Sequence, residues 1–293
     1  MKKYLIFRTD RIGDFLLTAI LIKSIKRNDP KSHIIIITSE KNFNYIKSFK
    51  NIDDVILLDK GIFNKLKLIN FLKKDKYYAT IIHDSKKRSK FISFFLRTNF
   101  RVLSNSNITY FADIKNILNQ LNFNFDKSDM DTLNGRSYNK FTELNKNYLL
   151  FHFDEKWIHN QYISNYINIE PTENELISFL NLIVSKTNKN LVITAGLKTP
   201  EILDKIFVNK FNSRISLFKN LDFFEIENII DKSDLLISCH GAVSHVAAAK
   251  NIKQIDIIDE SYNYHKWTAH FRKYKSINRE TFNKLSKNIL DQL

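Results

Sequence analysis

The chain has 293 residues, 43% of them apolar, with 24 Phe and a formal net charge of +15. That length exceeds most single hydrophobic cores and suits two domains, and so much apolar material excludes a disordered chain. No apolar run reaches the ~18 residues of a membrane-spanning helix and no signal-peptide pattern opens the sequence, so a soluble, cytoplasmic protein is expected.

Tyr4, Leu5, Ile6 and Phe7 form a short apolar run, the signature of a parallel strand covered on both faces, and the polar turn Asp10 to Asp14 breaks it. From Phe15 the apolar residues recur at helical spacing until Pro30, placing Asp14 at a helix start just beyond the carboxyl end of the first strand. At that rim of an open α/β sheet a polar side chain either caps its own helix or is aimed at a ligand. The chain then alternates. Strands are expected at His33 to Thr38, Val55 to Leu58, Ala79 to His83 and Phe100 to Leu103, and helices at Lys41 to Phe49, Phe63 to Lys74, Lys86 to Leu96 and Ile114 to Leu121. Asn122 to Asn147 is polar and without clear period, so the domain linker is placed inside it, and Asp129-Met130-Asp131 lies in the same polar stretch.

A second alternating series begins at Tyr148. Strands are expected at Tyr148 to Phe153, Asn190 to Ala195, Ile215 to Phe218, Asp234 to Ser238 and Gln254 to Ile258, with helices at Glu173 to Ser185, Thr199 to Phe211, Phe223 to Ile230 and Ala242 to Lys250. Arg279 to Leu293 reads as a further amphipathic helix. Alternation throughout implies two doubly wound parallel sheets, residues 1–147 and 148–278, followed by the tail helix 279–293. The charge is uneven: residues 1–147 hold 28 Lys and Arg against 14 Asp and Glu, and the remainder is nearly neutral. Such asymmetry suits an anionic partner on the first half, whether nucleic acid, an acidic membrane surface or a phosphorylated glycolipid, or else a solvated lysine-rich surface. The single cysteine, Cys239, ends an apolar strand and reads as core.

The string Arg8-Thr9-Asp10-Arg11-Ile12-Gly13-Asp14-Phe15-Leu16-Leu17-Thr18 resembles the first motif of the family 9 glycosyltransferases, the ADP-heptose:lipopolysaccharide heptosyltransferases. A Pro usual after the Thr is replaced here, where Ala19 and Ile20 stand. The resemblance implies the GT-B architecture, two Rossmann-like domains facing a cleft, and makes Asp14 the catalytic base. It also implies a tail helix that crosses back onto the first domain.

Asp234 to Ala249 (DLLISCHGAVSHVAAA) runs from an apolar strand through a small-residue turn into an alanine-rich helix. Backbone N–H groups of Gly241, Ala242, Val243 and Ser244 at such a helix start suit a pyrophosphate. The stretch is similar to the family's donor motif, Asp-Thr-Gly-x-x-His, with His245 matching while His240, Gly241 and Ala242 replace Asp, Thr and Gly. Lys156, in the loop His152 to Trp157, resembles the family lysine that contacts the donor phosphates, and Glu201 falls where the family places a Glu near the ribose. Arg8 and Arg11 of the first motif, with Lys86, Lys87, Arg88 and Lys90 after the strand ending at His83, are expected on the acceptor side. Tyr262 to Tyr274 interleaves aromatic and basic residues and suits either a nucleotide cover or packing where the chain leaves the second domain.

No nucleotide-binding Gly-rich loop, serine-hydrolase elbow, zinc spacing or metal-binding Asp-x-Asp at a strand end is present, so no cofactor and no essential metal are expected. The resulting expectation is an inverting transferase, acting between a nucleotide sugar, ADP-linked by the resemblance, and a glycolipid or glycan acceptor of the lipopolysaccharide type. It would work in the cytoplasm or at the inner face of a membrane without nucleic acid. The other reading is a non-catalytic protein of the same fold that holds nucleic acid or acidic lipid on its basic half.

Overall fold

A computed structural model describes residues 1–136, 147–208 and 212–293. The chain divides into two compact units, one of Met1–Thr132 with His265–His270, the other of Leu133–Tyr264 with Phe271–Leu293. In the first, β1 (Lys3–Phe7), α1 (Ile12–Asn28), β2 (His33–Thr38), α2 (Phe43–Lys47), β3 (Asp54–Leu57), α3 (Ile62–Leu72), β4 (Lys76–Ile82), α4 (Lys87–Phe94), β5 (Arg97–Leu103) and α5 (Tyr110–Gln120) follow in turn. The five strands are parallel in the order β3-β2-β1-β4-β5. β1 is central, pairing Tyr4 with Ile34 on one side and with Ala79 on the other, which is why its apolar run is unbroken. Strand order reverses between β1 and β4, so the loops after those two strands border the crevice such a reversal leaves.

The second unit repeats the scheme with β6 (Tyr148–His152), α6 (Glu173–Thr187), β7 (Asn190–Thr194), α7 (Glu201–Ile206), β8 (Ile215–Phe218), α8 (Phe223–Lys232), β9 (Ser233–Cys239), α9 (Ala242–Ala249) and β10 (Lys253–Ile258). The short helix α10 (His265–Thr268) belongs to the first unit, and β11 (Tyr274–Asn278) and α11 (Phe282–Leu290) complete the second. Its sheet is parallel in the order β11-β10-β9-β6-β7-β8, reversing between β6 and β9. Among the described residues no helix is long and apolar enough to cross a membrane.

Three expectations need correcting, and one segment that had two readings is decided. The tail helix α11 does not cross to the first unit: Phe282, Leu285 and Ile289 enter the second unit's own core, where Phe282 meets Phe179 edge to face at 5.6 Å. Of the two readings of Tyr262 to Tyr274, packing where the chain leaves the second unit describes His265–His270, which joins the first unit with the Trp267 ring 5.8 Å from Tyr110 before the chain returns as β11. The helix expected over Thr199 to Phe211 is Glu201–Ile206, capped rather than begun by Pro200; residues 209–211 lie outside the described part. The boundary expected between residues 147 and 148 falls at Thr132, still inside the polar stretch Asn122 to Asn147 where the linker is expected; residues 137–146 lie outside the described part.

Asp129 shows why the polar stretch misled. A single 3-10 turn, Lys127–Met130, has no readable period, yet it puts Asp129 fully inside the first unit. There its carboxylate accepts from Ser24 Oγ at 2.6 Å, Arg27 Nε at 3.1 Å and the Asp126 N–H at 3.0 Å. Burial alone would raise its pKa, but the hydrogen bonds and the Arg27 charge outweigh it and the net shift is downward. Asp129→Asn is therefore expected to lower unfolding free energy at neutral pH by about 1–3 kcal/mol, the lower end reflecting the partly exposed Arg27. A carboxylate with a depressed pKa stabilises above its unfolded value of 3.8 and loses that contribution as pH falls through the folded value, so urea titrations of the two chains should converge in acid.

Candidate active site

In the first unit the loop after β1 is fastened to the start of α4. Thr9 Oγ1 donates to Asp84 at 2.6 Å, Ser89 Oγ donates to the same carboxylate at 2.7 Å, and Arg88 donates to Thr9 Oγ1 at 2.7 Å. Lys86 pairs with Asp10 and donates to the Thr9 carbonyl at 3.1 Å. Asp14, half-buried in the first turn of α1, accepts the Arg11 N–H at 3.3 Å, so it is an N-terminal capping side chain. It also lines a cavity of about 870 Å³ at the strand reversal, so capping and a cavity-facing place coincide. Arg11, Lys41, Lys60, Lys86, Lys87 and Arg88 share that wall with the carboxylates of Asp10, Glu40 and Asp59, and Trp267 closes part of it.

Two expected acceptor-side residues lie elsewhere. Lys90 is exposed and off the cavity wall. Arg8 is only 1% exposed and sits beneath the loop, donating through Nε to Thr18 Oγ1 at 2.6 Å and through NH1 to Asp10 at 3.1 Å. Thr18 in turn lies 2.9 Å from His83 Nδ1. Burial, reinforced by the Arg8 charge, holds the His83 pKa far below its usual value and the ring neutral.

In the second unit the corresponding reversal brings the loop after β6 against the turn after β9. Lys156 is almost buried, ion-paired with Asp154, and its Nζ lies so near Gly241 that a Cβ there would approach it to 3.0 Å. Burial pulls the Lys156 pKa down, the adjacent Asp154 charge outweighs it, and the net shift is upward, so the cation persists at neutral pH. Arg279 holds this loop from below, donating to the carbonyls of Lys156 at 2.5 Å and Ile167 at 2.8 Å.

His240 is anchored by a residue that the motif did not include. Its Nδ1 lies 2.6 Å from Asp256 of β10, a fully buried carboxylate that also accepts from Ser244 Oγ at 2.7 Å. Ser244 Oγ accepts the Gly241 N–H at 3.2 Å, and the Ser244 N–H bonds the Gly241 carbonyl at 3.1 Å. Of the four N–H groups expected to receive an anion, two are therefore used within the turn, and those of Ala242 and Val243 remain for the role. His245 is buried, its ring 5.5 Å from His240 and 5.3 Å from Phe271, so it packs behind the turn. Tyr264 lies edge-on to His240 at 4.8 Å, and the Lys156 cation lies 5.3 Å from the Tyr162 ring, which adds an aromatic border. Glu201 is not with this group; it lies on a separate depression with Glu170, Pro171 and Thr172. Asp256 was legible in principle, since an acid inside the apolar strand QIDII has to find a buried partner. Among the described residues no cluster of three or more His, Cys, Asp or Glu is arranged to hold a metal ion.

The two sheets, each wound on both faces and each with its polar residues at the strand reversal, define the two-domain Rossmann-like fold of the GT-B class. Solved structures of that class superpose on nearly the whole chain. They include the Escherichia coli heptosyltransferase WaaC with ADP-2-deoxy-2-fluoro heptose (TM-score 0.73, 11% identity, 99% of this chain and 100% of that one). A glycosyl transferase of family 9 from Veillonella parvula (0.70, 12%, 99% and 91%) and the E. coli ADP-heptose lps heptosyltransferase II (0.66, 13%, 100% and 97%) are also similar. No family model matches the sequence, and no curated protein matches it. At such identities the likeness establishes the fold.

His152, beneath the Lys156 loop, donates to or accepts from Thr194 at 2.9 Å, and burial lowers its pKa to about 4. A histidine buried neutral stabilises fully above its unfolded pKa of 6.5, and that stabilisation is lost as pH falls toward 4 because the unfolded chain binds the proton first. The loss is expected to be on the order of 3 kcal/mol over that window. His152→Gln should flatten this part of the pH profile, as read from urea midpoints at several pH values.

Proposed function

We propose that the chain is an inverting glycosyltransferase that moves a sugar, heptose or a relative, from an ADP-linked or similar nucleotide donor to a hydroxyl of a lipopolysaccharide-type or other surface-glycan acceptor. The observation that carries this reading is Asp14, a helix-start carboxylate on a cation-lined cavity, in a fold shared with heptosyltransferases, one of them solved with an ADP-heptose analogue. The first unit offers the base and the acceptor cavity, and the second holds the donor. In the reaction Asp14 takes the acceptor hydroxyl proton, the oxygen attacks the anomeric carbon from the side opposite the nucleotide, and the bond from that carbon to the pyrophosphate oxygen breaks. Lys156 and the N–H groups of Ala242 and Val243 receive the charge that develops on the departing diphosphate.

His240 supplies to the donor a ring whose Nδ1 is taken by Asp256, which leaves Nε2 for a phosphate or sugar oxygen. The carboxylate that the family motif places on the turn is thus met here one strand away, behind an imidazole.

ADP and ADP-sugars are expected to raise the melting temperature, by an amount that grows with ligand concentration over Kd. Asp14→Asn should lower turnover at least ~100-fold with ADP affinity nearly unchanged, since a base acts in the chemical step. Lys156→Gln should instead weaken ADP binding by about 10–100-fold, the loss of one charge-assisted contact. Unchanged turnover in Asp14→Asn would refute the base assignment. Indifference to every nucleotide sugar, with salt-sensitive polynucleotide binding, would favour the non-catalytic reading.

A further inference from the structure

The helices on one face of the first unit depart from the usual division into an apolar inside and a polar outside. Leu68, Ile69 and Leu72 of α3 and Ile92 and Leu96 of and after α4 share one core with Leu5, Phe7, Ile35 and Ile37, so both helices cover the same side of the sheet. Their outer faces carry large apolar side chains among lysines. α4 turns Ser89, Ile92 and Ser93 inward and leaves Phe91 and Phe94 outside beside Lys87 and Lys90. Phe94 is 73% exposed and Phe63 of α3 is 77% exposed, with Ile62, Leu66 and Phe71 also open to solvent. Large apolar side chains exposed together on neighbouring helices mark an interaction surface. The two helices form one surface: Arg97 donates to the Lys73 carbonyl at 3.0 Å, the Lys73 ammonium lies 5.2 Å from the Phe95 ring, and Phe95 contacts Phe91 and Phe94 at 5.1 and 5.6 Å.

The charge around this surface identifies its partner. From Lys60 to Arg101 the sequence holds 12 Lys and Arg and two acids, Asp75 and Asp84. Asp84 is buried on Thr9 and Ser89, and Asp75 is paired with Lys3, so neither offsets the exposed cations. We propose that this face docks on an anionic lipid bilayer, with Phe63, Phe71, Phe91 and Phe94 entering the interfacial layer and Lys65, Lys67 and Lys90 meeting headgroup phosphates. Apolar side chains ringed by lysines are the composition that such a surface selects. Nucleic acid would make no use of the aliphatic Ile62 and Leu66, which offer no plane for base stacking. A second copy of the chain would bring like charges together across a symmetric contact.

The inference is independent of the reaction proposed above, because Phe63, Phe94, Lys67 and Lys90 line neither the Asp14 cavity nor the Lys156 site. The full chain is sedimented with phosphatidylglycerol–phosphatidylcholine vesicles and with phosphatidylcholine vesicles at equal lipid. Preferential binding to the anionic vesicles is expected. Phe63→Ser combined with Phe94→Ser should lower the partition coefficient at least ~10-fold, from the loss of buried ring area. Lys67→Glu with Lys90→Glu should lower it to a similar degree, on the anionic vesicles alone. Should the double serine chain not fold by circular dichroism, Phe63→Ser alone carries the same comparison. Equal sedimentation of the serine variant and the parent overturns the proposal, as does equal binding of the parent to both vesicles. A lipid-free dimer that the serine substitutions abolish would assign the face to a second copy instead and likewise overturn it.

Discussion

In an open parallel sheet, crossover connections that leave to one side of the first strand and then to the other force the strand order to reverse, and the two loops at the reversal cannot pack over each other. Both units of this chain obey that constraint beside their first strand. The polar residues that matter are distributed accordingly: Thr9 to Asp14 and Asp84 to Arg88 in one unit, Asp154 to Lys156 and His240 to Ser244 in the other. Each loop is in contact with its partner loop. Asp84 ties the first pair through Thr9 and Ser89, and in the second pair the Lys156 ammonium lies against Gly241, where a Cβ would approach it to 3.0 Å.

Charge in the first unit is sorted by depth. Arg8 and Asp129 are deep and neutralised by close partners, Lys3, Lys26 and Arg27 form ion pairs at intermediate depth, and Lys86 is held on Asp10. Of the other cations, Arg11, Lys41, Lys60, Lys87 and Arg88 line the Asp14 cavity, and Lys65, Lys67 and Lys90 stand on α3 and α4. A lysine-rich composition alone would scatter its cations, whereas here α4 carries them beside exposed phenylalanines and keeps serines for the core.

The strand and helix alternation was readable because β1, β2 and β6 are buried on both faces and leave continuous apolar runs, HIIIIT being delimited to the residue. Three kinds of feature left no such trace. The strand β11 is an edge strand whose lysine and serine face outward, so it lacks an apolar alternation. The segment His265–His270 takes its place from contacts with residues distant in sequence, as with Lys266 donating to the Ser106 carbonyl at 2.8 Å, and periodicity cannot report those. Asp256 and Asp129 act through partners that only the fold supplies. Among the candidate site residues, Asp14, Lys156 and the 240–245 turn stand out through the resemblance of their strings to a family's motifs, but the place of Gly241 does not: a Cβ there would meet the Lys156 ammonium, from a loop far earlier in the chain.

Arg279 and the segment His265–His270 also bear on the order in which the protein can become complete during synthesis. Trp267, part of the Asp14 cavity wall, emerges from the ribosome only after nearly all of the second unit, although the rest of the first unit has been available to fold long before. The Lys156 loop waits longer still, since the guanidinium that fastens its carbonyl and the α11 side chains that close its core lie in the final stretch of the chain. A nascent chain stalled before Tyr262 would carry two nearly whole sheets and neither finished site.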